Sequence, residues 1–242
     1  GAKVFLKNEY EQKTGSFKIR GAYYKIKSLT DEQKSKGVVA ASAGNHSQGV
    51  AFASSIENIP CTIVMPKTAS PAKVAATKGY GAKVVLEGST YDESWEYAQK
   101  ISSETNATII HAFDDPHVIA GQGVIGLEIM EQLPNVDEIY VPIGGGGLVA
   151  GIILAVKEKN PNVRIIGVES SSYPSMKESF EKKSLQTVKG NSTIADGISV
   201  KTPGKITFGV VRHQIDEIVT VDDSDIINAM FLLMERSKAV VE

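Results

Sequence analysis

Three segments carry residues whose types and spacing suit chemistry. The first spans residues 139–150, IYVPIGGGGLVA. A strand-like run ends, four glycines follow, and an apolar helical pattern begins at Leu148. Four consecutive glycines carry a large backbone-entropy cost, so their freedom must serve something. Successive N–H groups at the start of a helix form a nest for an anion, and the helix dipole favours negative charge there. The expectation is an anion site; the competing reading is a tight strand–helix turn, for which two glycines suffice. No Gly-Lys-Ser/Thr follows, so this is not a P-loop. The second segment spans residues 14–22, TGSFKIRGA, with Lys18 in the first turn of an expected helix. A cation is disfavoured at that positive end. Together with burial, the field favours the neutral amine that a Schiff-base lysine requires. Taken alone, the segment reads more simply as an exposed lysine in a basic patch with Lys13 and Arg20. The third spans residues 39–51, VAASAGNHSQGVA. Ser42, Ala43, Gly44, Asn45 and His46 lead from a strand into a helix, a landing place for a carboxylate or phosphate that Asn45 can hydrogen-bond. A plain cap made by Asn45 is the alternative.

Other chemistry finds little support. Gly121, Gly123 and Gly126 match G-x-G-x-x-G, but an expected helix start at Asp115-Pro116 separates them from the preceding strand. A dinucleotide fingerprint belongs directly between strand and helix. Close helix packing is the preferred reading; a nicotinamide oxidoreductase is the competitor, in which changing Gly121 or Gly123 would abolish binding. The four histidines show no metal-ligand spacing. No G-x-S-x-G is present, and Cys61 reads as an inert core thiol.

The elements that must position these residues alternate. Short β-branched strands are expected near residues 4–7, 37–41, 61–65, 83–86, 108–112, 138–143, 164–169 and 217–221, with helices between them. Thr30-x-x-Gln33 and Thr90-x-x-Glu93 are capping-box patterns. Ser70-Pro71, Asp115-Pro116 and Thr202-Pro203 read as caps before a first-turn proline. This alternation predicts an α/β fold with parallel, doubly covered sheets. The 242 residues carry 42% hydrophobic and 22% charged side chains and a net charge of −2. That excludes a disordered chain and a nucleic-acid binder driven by bulk charge. A single Cys excludes a disulfide framework. No apolar run approaches the roughly 18 residues of a membrane span. No signal-peptide pattern opens the chain, so the expected compartment is the cytoplasm. Gly1 and the apolar run before Glu242 read as cut ends.

The stretches NEYEQKTGSFKIRGA, ASAGNHSQGVA, MPKTASPAKV, IAGQGVIGLEI, VPIGGGGL and IADGI, in this order, resemble the fold-type II pyridoxal-phosphate enzymes. Within them the chain looks like the threonine dehydratase and serine racemase branch. The resemblance covers nearly the whole chain and reverses the reading of Lys18. It implies that Lys18 holds pyridoxal 5'-phosphate through its amine and acts as the catalytic base. It implies that Phe17 flanks the cofactor ring, Asn45 meets the ring hydroxyl and Gly197 lies near the ring. The amides of Gly144, Gly145, Gly146, Gly147 and Leu148 would take the phosphate, and Ser42, Ala43, Gly44, Asn45 and His46 the substrate carboxylate. The implied fold is two doubly wound lobes: residues 1–36 with 119–242 as the large cofactor-binding lobe, and 37–118 inserted as the small one. The active site is expected in the cleft between them. The implied reaction is dehydration and deamination of L-threonine, with L-serine second, by a homo-oligomer (dimer or tetramer) with no nucleic-acid or membrane partner. Serine racemases carry a second Ser before Gly-Asn-His; Ala43 stands there and favours dehydration, leaving racemisation as runner-up. From another class, an inactive or binding-only fragment is the alternative. Some relatives bind a divalent cation; Glu169 and the Tyr173 carbonyl match that set, but Ser175 replaces the Asp, which weakens a hard-cation site.

Overall fold

The computed structural model describes residues 1–242. The chain folds as two compact, contiguous units, Gly1–Ala112 and Phe113–Glu242.

In the first unit, α1 (Lys18–Lys27) and α2 (Asp31–Lys36) precede β1 (Val38–Ala41), α3 (Asn45–Ile56), β2 (Cys61–Met65), α4 (Pro71–Gly79), β3 (Lys83–Leu86), α5 (Tyr91–Thr105) and β4 (Thr108–Ile109). The sheet is parallel with order β3-β2-β1-β4. All four residues of β1 are buried. Val38 and Ala40 join the core shared with Val50 and Ala53 of α3 and Ile26 of α1. Val39 and Ala41 join Ala98 of α5 on the other face. Alternate side chains of a strand point to opposite faces, so a central strand covered on both must be apolar throughout. The chain thus leaves β1 towards β2 under α3 and returns to its other side through α5. That change of direction places a topological switch point at the carboxyl ends of β1 and β4, where ligands of open α/β sheets bind.

The second unit runs α6 (Pro116–Gln132), β5 (Glu138–Pro142), α7 (Gly147–Lys159), β6 (Arg164–Ser170), α8 (Ser175–Glu181), α9 (Lys205–Gln214), β7 (Glu217–Val221) and α10 (Asp223–Ser237). Its sheet is parallel with order β5-β6-β7. The glycines of the G-x-G-x-x-G match lie inside α6. A Cβ on Gly151 of α7 would stand 2.4 Å from the Ile119 carbonyl and 2.6 Å from the Gly123 nitrogen. The glycines therefore let two helix backbones touch, as the sequence context predicts. No helix is long and apolar enough to cross a membrane.

Several expectations are corrected. Residues 4–7 form no strand; Val4, Phe5 and Leu6 are exposed. A strand needs a neighbouring ladder, and neither sheet extends to this segment. Thr202-Pro203 does not start a helix. The N-cap of α9 is Gly204, and its first-turn amides are met by Asp114, 91 residues away from Lys205. The Thr30 capping box forms in full, whereas Glu93 reaches back to the Ser89 nitrogen instead of its cap residue. Within the first unit, Ala22 and Ile26 of α1 complete the core over β1.

Candidate functional site

The first unit gathers one set of candidates at the switch point. Lys18 is the first residue of α1, and its Nζ donates to the Ala112 carbonyl beyond β4 at 3.0 Å. Burial lowers its pKa from 10.5 to about 8, so a sizeable share of the amine is neutral near physiological pH. The Nζ lies 5.3 Å from the centre of the Phe17 ring. Helix α3 can approach because Gly49 has no side chain: a Cβ there would meet the Lys18 carbonyl carbon and the Ile19 nitrogen at 3.1 Å.

Asn45 is the first residue of α3, behind Gly44, which supplies no side-chain cap. The N–H groups of His46 and Ser47 donate to no protein acceptor, so two first-turn amides are available to an anion. The Ser42 hydroxyl accepts the Gly44 N–H at 3.2 Å and shapes this turn. Ala43 packs its methyl on the core. His46 is buried and its Nε2 sits 2.9 Å from the Ile110 carbonyl. Burial, then the nearby Lys18 charge, pushes its pKa down to about 3. His46 is therefore a neutral Nε2–H donor to Ile110 and no general base there. Sequence reading missed two buried hydroxyls ahead of the lysine: Thr14 Oγ1 and Ser16 Oγ have no protein partner.

The second unit holds the other set. Gly144, Gly145 and Gly146 connect β5 to α7, and Gly147 begins the helix. None of the N–H groups of Gly144, Gly145, Gly146, Gly147 or Leu148 donates to a protein acceptor. Five consecutive unmet amides at a helix start are the arrangement an anion nest requires. The glycines have steric reasons as well. Gly146 has φ +95°, a conformation that side chains rarely adopt. A Cβ on Gly145 would collide with the Phe113 ring at 2.3 Å. The turn is crowded, and its amides have no protein acceptor. Gly197, in a single 3₁₀ turn (Asp196–Ile198), is exposed. A Cβ on Gly144 would lie 3.1 Å from the neighbouring Ile198 Cα, so the IADGI segment borders the nest. A fully buried Thr207 beneath it also went unread; a lone Thr in a helix belongs to no motif.

The cation candidates are engaged with the protein. Both oxygens of the buried Glu169 carboxylate accept α8 amides, from Met176 and Lys177, each at 2.8 Å. Burial raises its pKa to about 7, against these two hydrogen bonds. The Tyr173 carbonyl accepts the Ser175 N–H at 2.9 Å, and Ser175 Oγ donates to the Val200 carbonyl at 2.8 Å. No group of three or more His, Cys, Asp or Glu side chains is arranged to hold a metal.

Comparisons with known proteins agree with this chemistry. The family profile described as "Pyridoxal-phosphate dependent enzyme" matches residues 1–242. An L-threonine ammonia-lyase of Thermotoga maritima is 52% identical over 242 residues, which is all of this chain and 60% of that protein. The catabolic L-threonine dehydratase TdcB of Staphylococcus aureus strain USA300 is 53% identical over 239 residues, 99% of this chain and 69% of that one. Among solved structures, processed threonine deaminase isoform 2 of Solanum lycopersicum superposes with a TM-score of 0.95 at 40% identity, over 98% of this chain and 65% of that one. Maize serine racemase gives 0.94 at 40% identity, over 97% and 71%. The chain thus spans 60% of the length of the Thermotoga relative.

Proposed function

The chain belongs to the pyridoxal-phosphate dependent enzyme family, and from that premise we propose that it dehydrates and deaminates L-threonine, and L-serine second, to 2-oxobutanoate or pyruvate and ammonia. The half-buried Lys18 amine, held at about 8 by burial, carries the reading. The residues fit the cofactor. Five backbone N–H groups without protein acceptors suit its phosphate, and a partly neutral amine suits its aldehyde. When bound, the cofactor supplies an electron sink for the charge left on the substrate's α-carbon.

This chain's residues do the rest. The amides of Gly144, Gly145, Gly146, Gly147 and Leu148 would hold the phosphate, Phe17 and Gly197 would border the ring, and Asn45 would meet its hydroxyl. The turn leading into α3, Ser42 to His46, would hold the substrate carboxylate with backbone N–H groups and fix the α-carbon. Lys18 Nζ, in its neutral form, would take the α-proton. The Ala112 carbonyl that accepts from Nζ would keep the amine in place between steps. Loss of the β-hydroxyl as water, followed by hydrolysis, balances as one amino acid giving one 2-oxo acid and one ammonia. Ala43 offers no proton donor from the turn, which supports elimination over racemisation. The proposal includes a cytoplasmic homo-oligomer, dimer or tetramer. It also includes the lobe division, with residues 1–36 and 119–242 as the large cofactor-binding lobe and 37–118 inserted as the small one.

The test adds pyridoxal phosphate to the purified protein, records the visible absorption, then adds L-threonine and assays 2-oxobutanoate. A band and oxo-acid release, both lost in Lys18→Ala, are expected. A visible band that persists unchanged in a folded Lys18→Ala protein would sink the lysine assignment. Formation of D-serine from L-serine without pyruvate would transfer the reading to a racemase.

A further inference from the structure

We propose that Thr207 is a positioning residue for the anion nest: its hydroxyl fixes the peptide joining Gly145 to Gly146 and thereby aims the Gly146 N–H at the bound phosphate. The inference rests on the cofactor reading above and adds a residue that touches neither cofactor nor substrate.

Thr207 lies in the first turn of α9 and is fully buried. Its Oγ1 is 2.7 Å from the Gly145 carbonyl and 3.2 Å from the Gly204 carbonyl. A hydroxyl has one proton to give, so Gly145 is its main acceptor. The Gly204 N–H adds a longer bond of 3.2 Å to the same carbonyl. The peptide is trans, and in a trans peptide C=O and N–H point in opposite directions. With the Gly145 carbonyl drawn to α9, the Gly146 N–H must face away from it, where it donates to nothing in the protein. A peptide between two glycines is easily turned over, because neither residue has a Cβ to oppose rotation. The hydroxyl removes that freedom.

Thr207 is itself held. The Asp114 carboxylate accepts N–H groups of Lys205, Ile206 and Thr207 at 3.0, 2.9 and 3.2 Å. Gly204 leaves room for it, since a Cβ there would stand 2.2 Å from Asp114 Oδ1. The first turn of α9 is thus fastened from outside, and its hydroxyl reaches the nest at a fixed height.

The experiment compares Thr207→Val and Thr207→Ser with the parent protein. Inorganic phosphate is titrated while the Gly146 backbone amide is followed by NMR. Pyridoxal phosphate and pyridoxal are titrated separately by visible absorption. Thr207→Val is expected to weaken both phosphate-bearing probes about three- to tenfold and leave pyridoxal unchanged, with Thr207→Ser restoring the affinity. Unchanged phosphate affinity in Thr207→Val overturns the proposal. So does an equal loss for pyridoxal, which marks a general packing role, and so does a parent protein that binds no phosphate at Gly146. If Thr207→Val does not fold, Thr207→Ala carries the same expectation. A parent protein that binds phosphate at Gly146 but gives no Lys18-dependent band overturns the cofactor reading instead, and the phosphate titration still decides on Thr207.

Discussion

The lowered pKa of Lys18 has a thermodynamic sign. The unfolded amine keeps its proton up to 10.5, the folded one only up to about 8. Between these values the unfolded chain binds more protons, so stability rises with pH across the window, and the full penalty stands below 8. Lys18→Met is therefore expected to stabilise the cofactor-free protein at pH 7 by up to about 3 kcal/mol, a gain that fades towards pH 10.5. Urea unfolding at the two pH values checks it. The rate of cofactor capture against pH should bend near 8, as against 10.5 for an exposed lysine. Glu169 offers a different case. Each carboxylate oxygen accepts a helix amide, and Glu169→Gln would turn an NH₂ towards one of them. A loss of about 1–3 kcal/mol is expected in the same assay. The helix-start position of Lys18 was readable from its local segment, but its burial was not. A lysine after Gly-Ser-Phe says nothing by itself about what covers it, and only the six ordered stretches decided the matter.

Helices in this chain are placed by local caps, by remote ones and by missing side chains, and these differ in how well a sequence shows them. Ser70 and Asp115 cap α4 and α6 from the adjacent position, and both were legible. The bounds of β2, β3 and β7 were too, because β-branched runs end abruptly there. The cap of α9 was not, since Asp114 is joined to it only by the fold. The approach of α3 to α1 depends on Gly49. Gly49→Ala is expected to push α3 from the Lys18 backbone, lowering stability by about 1–3 kcal/mol and weakening the Lys18-dependent band; thermal unfolding and absorption read the two effects. At the α6–α7 crossing, Gly151→Ala places a methyl 2.4 Å from the Ile119 carbonyl. A similar or larger loss is expected there with the cofactor affinity of the folded fraction retained.

At the scale of the whole chain, each contiguous unit carries its own parallel sheet. Both core clusters on the faces of the first sheet come entirely from residues below 113. A fragment of residues 1–112 is expected to unfold cooperatively, with slow amide exchange in β1 and β2. A fragment of 37–112 lacks Ala22 and Ile26, both fully buried, and is expected to be markedly less stable. Equal stability of the two fragments would show that α1 contributes nothing to this core. That α1 covers the first sheet was not legible locally, because the sequence of a helix shows only that one face is apolar. The crowding around Gly49, Gly145, Gly146 and Gly151 has a consequence for inheritance. Each of these positions already holds the smallest residue, so every replacement enlarges it, whatever its polarity or charge. Mutational tolerance there is one-sided. A saturation scan should find all nineteen alternatives penalised in order of size at these four sites, while positions such as Asn45 are graded by chemistry. Sequence drift in this protein is thereby channelled away from the places where the backbone is hemmed in by its neighbours.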